Sequence, residues 1–180
     1  MLRGEKVLLR PLKRSDITNF LKWFNDPEVT QYLSFYLPMT EMAEEKWIED
    51  AADRIRAGTD VCLIIEAIEG DSAKPIGNIG LQGISSKDHS ATFGIVIGEK
   101  DYWSKGYGTE VTRLILEYGF QQLNLHRTAS SAFAFNERSI RLHKKVGFKE
   151  ESRRREAIFK NGQFHDLAMF SILRDEWRGR

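Results

Sequence analysis

The sequence predicts an α/β (α+β) domain: a mixed, mostly antiparallel twisted sheet flanked by helices, in the order β-α-α-β-β-β-α-β-α-β-β. Three observations carry that expectation. Between residues 61 and 97, three β-type runs follow one another through short, turn-rich links, the pattern of an antiparallel meander. Elsewhere, apolar residues recur at helical spacing in segments bounded by capping residues. Near the C-terminus, Asn161-Gly162 joins two further β-type runs and is a strong type I′ hairpin signal.

Taken in order, residues 7–12 read as a short strand stopped by Pro11. Ser15 is expected to cap a helix whose apolar face is Ile17, Phe20, Leu21 and Phe24, with Asn25-Asp26-Pro27 ending it. The aromatic stretch 29–39 offers Tyr32 and Tyr36 as candidate acceptor-binding residues, with packing over the core as the plainer role. Thr40 caps a second helix to about residue 57, with Trp47, Ile48, Ala51 and Ile55 on one side and Gly58 past its end. Strands over 61–68, 75–84 and 89–97 follow, then a helix with Val111, Leu114, Ile115 and Tyr118 at i, i+3, i+4 and i+7. Residues 126–133 are strand-like. Asn136 caps a short helix with Ile140, His143 and Val146 inward and Gly147 at its C-terminal end. In the closing hairpin, 149–159 and 164–173, Phe159 is expected to face Phe164 and Ala157 to face Asp166. No repeat or linker interrupts the chain, and one domain is expected over residues 1–180.

The stretch 101–110, Asp-Tyr-Trp-Ser-Lys-Gly-Tyr-Gly-Thr-Glu, lies between a strand and a helix start. Such a junction gathers backbone N–H groups at the positive end of a helix dipole and suits a phosphate or pyrophosphate. Lys105 adds a mobile charge, and the glycines permit close approach. The G-x-x-x-x-G-K-[ST] and G-x-G-x-x-G patterns are absent, which excludes a Walker A loop and a dinucleotide fingerprint.

This loop resembles the acetyl-CoA loop of the GNAT N-acetyltransferases, usually Q/R-x-x-G-x-G/A, with Trp103 in place of Gln or Arg. Trp-x-Lys-Gly-Tyr-Gly-Thr-Glu is similar to the ribosomal-protein N-terminal (alanine/serine) acetyltransferase branch. A second stretch, Asn136 to Phe148, is similar to the family's N-x-x-[SA]-x-x-x-Y-x-K-x-G-F, and the element order is that of the GNAT fold.

The resemblance implies acetyl-CoA as co-substrate, held by Ser104, Lys105, Gly106, Tyr107, Gly108 and Thr109. It adds the backbone of Ile95, Val96 and Ile97 as an oxyanion-hole-type contact, and Asn136 and Ser139 beside the pantetheine arm. His143 stands where the family has Tyr and is implied to protonate the departing sulfur; a core histidine bonded to a carbonyl is the other role open to it. Relatives often carry a glutamate base where this chain has Thr92, which cannot be one and stands with Tyr32 and Tyr36 as a candidate acceptor-binding residue. An α-amine, with a pKa of about 7.7–8.0, is partly neutral near pH 7, whereas a lysine-like amine at about 10.4 is almost wholly charged. The absent base therefore favours an α-amine.

Balanced charge, 27 Lys plus Arg against 26 Asp plus Glu, argues against a dedicated nucleic-acid binder. Cys62 is alone in an apolar run, which excludes a disulfide within the chain and suits an inert thiol. No metal-ligand spacing, no secretory h-region and no membrane-length apolar run are found, so a cytoplasmic protein without metal is expected. Arg153-Arg154-Arg155 could meet the cofactor's 3′-phosphate or stand as a solvated strand end.

The first reading is thus transfer of acetyl to a protein or peptide α-amine, such as a ribosomal protein N-terminus. The alternatives are a small-amine acetyltransferase (polyamine, amino acid or aminoglycoside), which Glu66, Asp88 or Glu28 near the acceptor would favour, and a non-catalytic acyl-CoA-binding module. A homodimer is left open.

Overall fold

The structure, a computed structural model, describes residues 1–177 and 179. Eight strands form one sheet in the order β1-β2-β3-β4-β5-β6-β8-β7. They are β1 (Leu2–Arg3), β2 (Val7–Pro11), β3 (Val61–Glu69), β4 (Ser72–Ser85), β5 (Ser90–Ile97), β6 (Arg127–Phe133), β7 (Lys149–Lys160) and β8 (Gln163–Leu173). The helices are α1 (Ile17–Phe24), α2 (Pro27–Thr30), α3 (Glu41–Arg56), α4 (Tyr107–Gln121) and α5 (Glu137–Val146). β1 and α2 add to the expected order, and the rest of it is found.

Every neighbouring pair of strands is antiparallel except β5 and β6. That parallel pair has three rungs, Ser90–Arg127, Ala91–Thr128 and Thr92–Ala129, and beyond them no ladder joins the two strands. The sheet is therefore open at its middle, just past Thr92.

Apolar residues cover both faces. On one, Ile65, Ile79 and Leu81 of the strands bury Val111 and Ile115 of α4. On the other, Phe20, Trp23 and Phe24 of α1 pack on Ile64, and Trp47 and Ile48 of α3 close over them. Register assigns the sides: Ile64 pairs with Asn78, Asn78 with Val96, Cys62 with Gly80 and Gly80 with Gly94. These residues share the α1/α3 face, because paired residues point to the same side of a sheet. Two glycines leave that face shallow between β3 and β5.

Some local expectations change. Ser15 lies in a 3-10 turn, Arg14–Asp16, so α1 begins two residues later. Asp16 accepts the Lys13 N–H at 2.8 Å, and both its oxygens are taken by Arg10 at 2.7 and 2.8 Å. Arg10 also meets Glu66 at 2.6 Å, so the buried Arg10 and Asp16 and the half-buried Glu66 form a satisfied cluster. Pro27 starts a one-turn helix as well as ending α1: the Asp26 carboxylate accepts the Glu28 N–H at 2.9 Å.

The hairpin has the expected tip, with Asn161 (φ 51°) and Gly162 (φ 79°) both left-handed and Phe159 opposite Phe164. Ala157 does not face Asp166. The register shifts between Arg154 and Ile158, where Glu156 (φ 49°) gives its N–H to the Asp166 carboxylate at 2.9 Å.

Candidate active site

A cavity of about 1040 Å³ runs through the gap between β5 and β6 and along the shallow α1/α3 face. Gly94 lines it, and a Cβ added there would meet nothing within 4 Å.

One wall is the entry to α4. Ser104 (φ 61°) and Gly106 (φ 91°) hold left-handed backbone, and Gly106 is the N-cap, with no side chain to bond the first turn. The leading N–H groups of a helix lack partners within it, so those of Tyr107, Gly108 and Thr109 are available to an anion. Trp103 ties the loop to the sheet by donating its indole N–H to Ile97 O at 2.7 Å. Ser104, Gly106, Gly108 and Thr109 all line the cavity. Lys105 and Tyr107 do not: Lys105 points to solvent, and Tyr107 packs edge-on against Tyr102 at 5.2 Å.

β5 forms the floor of the gap. Phe93 O and Ile97 O both bond away from β4, to Ser130 and Trp103. Because a strand alternates its edges, Ile95 turns its backbone the same way, and Val96 turns its own toward β4. Of the three backbone donors expected here, those of Ile95 and Ile97 thus face the gap, while Val96 contributes only its side chain to the lining.

α5 supplies the opposite wall. Asn136 caps it by accepting the Ser139 N–H at 3.1 Å, and both residues line the cavity. Arg138 lays its guanidinium 3.8 Å from the Trp103 ring and 5.1 Å from that of Tyr32, joining α5 to the loop and to the aromatic stretch.

His143 is 2% exposed, stacked on Phe170 at 4.6 Å and edge-on to Phe148 and Phe93. Its Nδ1 lies 2.7 Å from Ser139 O, and its Nε2 lies 2.8 Å from Ser130 Oγ. A carbonyl only accepts, so Nδ1 carries the proton and Nε2 is the lone-pair nitrogen. Burial holds the imidazole pKa below its ordinary value, against a smaller opposing effect of the Ser139 carbonyl. The ring is therefore neutral near pH 7, and its one N–H points at a carbonyl. The proton donor implied by the sequence motif has no free proton in this state.

The acceptor side differs most from expectation. Tyr32 lines the cavity, but Tyr36 is 85% exposed and lies outside it. Thr92 is an exposed residue beyond the lining, opposite Gln82. The candidate carboxylates lie elsewhere: Glu66 is bound to Arg10, Glu28 pairs with Lys100, and Asp88 accepts from Ser85.

The carboxylate that does line the cavity is Glu44, on the sheet-facing side of α3 one turn before Trp47 and Ile48. It is 2% exposed, and its Oε2 has no hydrogen-bond partner. Burial alone raises its pKa, and no cation pairs with it among the described residues. The Oδ1 of Asn78, on the same face and in the same lining, is also without a partner. Glu44 was visible in the sequence as an acid on the apolar stripe of its helix, three and four residues before Trp47 and Ile48.

Cys62 lines the cavity too, but burial pushes its thiol up to about 11, so it stays protonated near neutral pH. Arg153 is engaged by Glu150 at 2.6 Å, and Arg155 borders a separate surface hollow with Glu156 and Asp166. Among the described residues, no group of three or more His, Cys, Asp or Glu could hold a metal ion, and no helix is long and apolar enough to cross a membrane.

Known proteins resemble this chain in sequence and fold. The chain is 28% identical to the spermidine N(1)-acetyltransferase of Escherichia coli (strain K12), over 98% of this chain and 91% of that protein. It is 35% identical to the putative ribosomal N-acetyltransferase YdaF of Bacillus subtilis (strain 168), over 57% of this chain and 56% of that protein. Among solved structures, spermidine N-acetyltransferase from Vibrio cholerae in complex with CoA and spermine superposes with a TM-score of 0.86 at 24% identity, covering 96% of this chain and 98% of that one, a likeness of fold. The family model of the acetyltransferase (GNAT) domain matches residues 6–149, from the first core strand through the gap, the α4 entry and α5. The chain belongs to the GNAT acetyltransferases and is an acetyl-CoA-dependent N-acetyltransferase.

Proposed function

We propose that the acceptor is a small cationic amine of the polyamine class. The observation that carries this reading is the division of charge across the cavity. Its cationic lining residues, Arg138, Arg141 and Lys145, all come from α5, on the side suited to an anionic cofactor. Its carboxylate, Glu44, comes from α3, on the other face of the sheet, and the same lining holds a second orphaned acceptor on Asn78. A buried acceptor with no donor is unfavourable, and an ammonium group supplies donors to such acceptors. Full-length similarity to a spermidine acetyltransferase supports the same acceptor class, since it extends over the segment that roofs the acceptor side.

The α-amine reading drawn from Thr92 is weaker on this account. The likeness to the putative ribosomal enzyme covers little more than half the chain, and Glu44 offers a carboxylate that Thr92 does not. The test is a pooled reaction: acetyl-CoA with spermidine, a peptide bearing a free α-amine, and free lysine, with products identified by mass spectrometry. Acetylspermidine as the dominant product is expected. Acetylated peptide with unreacted spermidine would reverse the ranking.

A further inference from the structure

Past the last β5–β6 rung, one hydroxyl spans the opening. Ser130 Oγ lies 3.1 Å from Phe93 O on β5 and 2.8 Å from His143 Nε2, and Ser130 lines the cavity. With the Nδ1 proton given to Ser139 O, the neutral ring needs a donor at Nε2. Phe93 O also needs one. Ser130 has a single hydroxyl proton for these two acceptors.

The network is thus one proton short. A proton added at Nε2 completes it without moving a heavy atom: Nε2–H donates to Ser130 Oγ, and Oγ–H donates to Phe93 O. What faces the ring is aromatic or hydroxylic, namely Phe93 of β5, Ser130 of β6, Phe148 before β7, Phe170 of β8 and Ser139 of α5. No carboxylate or cation faces it among the described residues, and Lys144 and Lys145 of its own helix are exposed. The resting ring, which lines the cavity together with Ser130, is an empty proton acceptor with the Ser130 hydroxyl at its open nitrogen.

We infer that Ser130 and His143 form a proton relay that takes a proton from the attacking amine, with Ser130 Oγ meeting the reacting nitrogen and His143 storing the proton behind it. The amine enters the step neutral, its ammonium proton already lost to water. As its lone pair forms the C–N bond, one N–H proton passes to Ser130 Oγ while the Oγ proton passes to Nε2. When the C–S bond breaks, the sulfur leaves with the electron pair and takes the proton back along the same path. The amide and the thiol are formed, and the relay returns to its neutral state. Ser130 is the catalytic residue here, and His143 acts through it. This is the reverse of a resting donor, and it provides the base that Thr92 cannot.

The test is the ratio of single-turnover rate constants, wild type over Ser130→Ala, measured across pH. The amine's own ionisation cancels in that ratio. It is measured with spermidine, or with a peptide α-amine if spermidine gives no turnover, so failure of the polyamine reading shows as a change of acceptor and leaves the relay tested. A ratio of roughly 10² is expected at pH 8, falling about tenfold per pH unit once His143 is protonated. Ser130→Thr, which keeps a hydroxyl, should recover most of the rate. A ratio constant with pH would mean a structural role, and one that grows as pH falls would mean a donor; either overturns the inference. If Ser130→Ala does not fold, nitrogen-15 NMR of the wild-type ring decides: a neutral His143 protonated at Nδ1 is expected, and protonation at Nε2 overturns it.

Discussion

Replacing Glu44 with Gln should make the free protein more stable and the enzyme worse. The side chain is 2% exposed, and its Oε2 has no partner, so an ionised carboxylate there loses hydration with nothing in return. Its folded pKa is accordingly raised by burial above the ordinary carboxylate value. A raised carboxylate contributes stability that is complete below the unfolded pKa and lost as pH rises through the folded value. The wild type loses that contribution as pH rises, and Gln, similar in shape and neutral at every pH, keeps it.

The variant's Tm should therefore exceed the wild type's at pH 7, and the difference should vanish near pH 4. With an ammonium group bound, the balance reverses. A hydrogen bond to a charged group is worth about 1.5–3 kcal/mol. At about 1.4 kcal/mol per tenfold, its loss should weaken polyamine binding roughly 10- to 100-fold. Acetyl-CoA affinity should not change. Calorimetric titration of spermidine and of acetyl-CoA, with melting curves at both pH values, measures all of this. An unchanged spermidine affinity, or a lower Tm at pH 7, would show that Glu44 neither binds the amine nor costs the free protein stability.

Two further substitutions probe the cavity walls. Gly106→Val places a β-branched residue at φ 91°, where the added atom meets nothing of the protein within 4 Å but the backbone is strained by about 1–3 kcal/mol. A Tm lowered by several degrees and loss of acetyl-CoA binding are expected, and full binding in calorimetry would remove α4's entry as the phosphate site. Gly94→Val fills open space on the α1/α3 face, so the fold should survive while KM for the amine rises and acetyl-CoA affinity holds. An unchanged amine KM would place the acceptor elsewhere.

Much of the fold was legible because its signals are local. Asn161-Gly162 fixes two left-handed residues, and with them the pairing of Phe159 with Phe164. Gly106 and Gly147 mark a helix start and a helix end by the same backbone freedom. The bulge at Arg154–Ile158 was not legible: it depends on Asp166 reaching across to the Glu156 N–H, a contact between strands.

The site divides in the same way. Residues of the α4 entry and of Asn136 to His143 lie in contiguous motifs, and the structure gathers most of them in one cavity. Ser130 and Glu44 belong to no motif. Ser130 matters because β5 and β6 separate after three rungs, which no run of residues announces. Glu44 matters because it shares a cavity with Gly80 and Gly94, on strands far from it in sequence. The tautomer of His143 was not legible either, since it is set by neighbours such as Ser139 O.

Acetyl transfer to a small cationic amine is tested by kcat/KM for spermidine against kcat/KM for peptides with small N-terminal residues, at pH 7 with saturating acetyl-CoA. A ratio well above one is expected, collapsing toward one in Glu44→Gln. Peptide turnover that exceeds spermidine turnover, with Glu44→Gln indifferent to both, would contradict it.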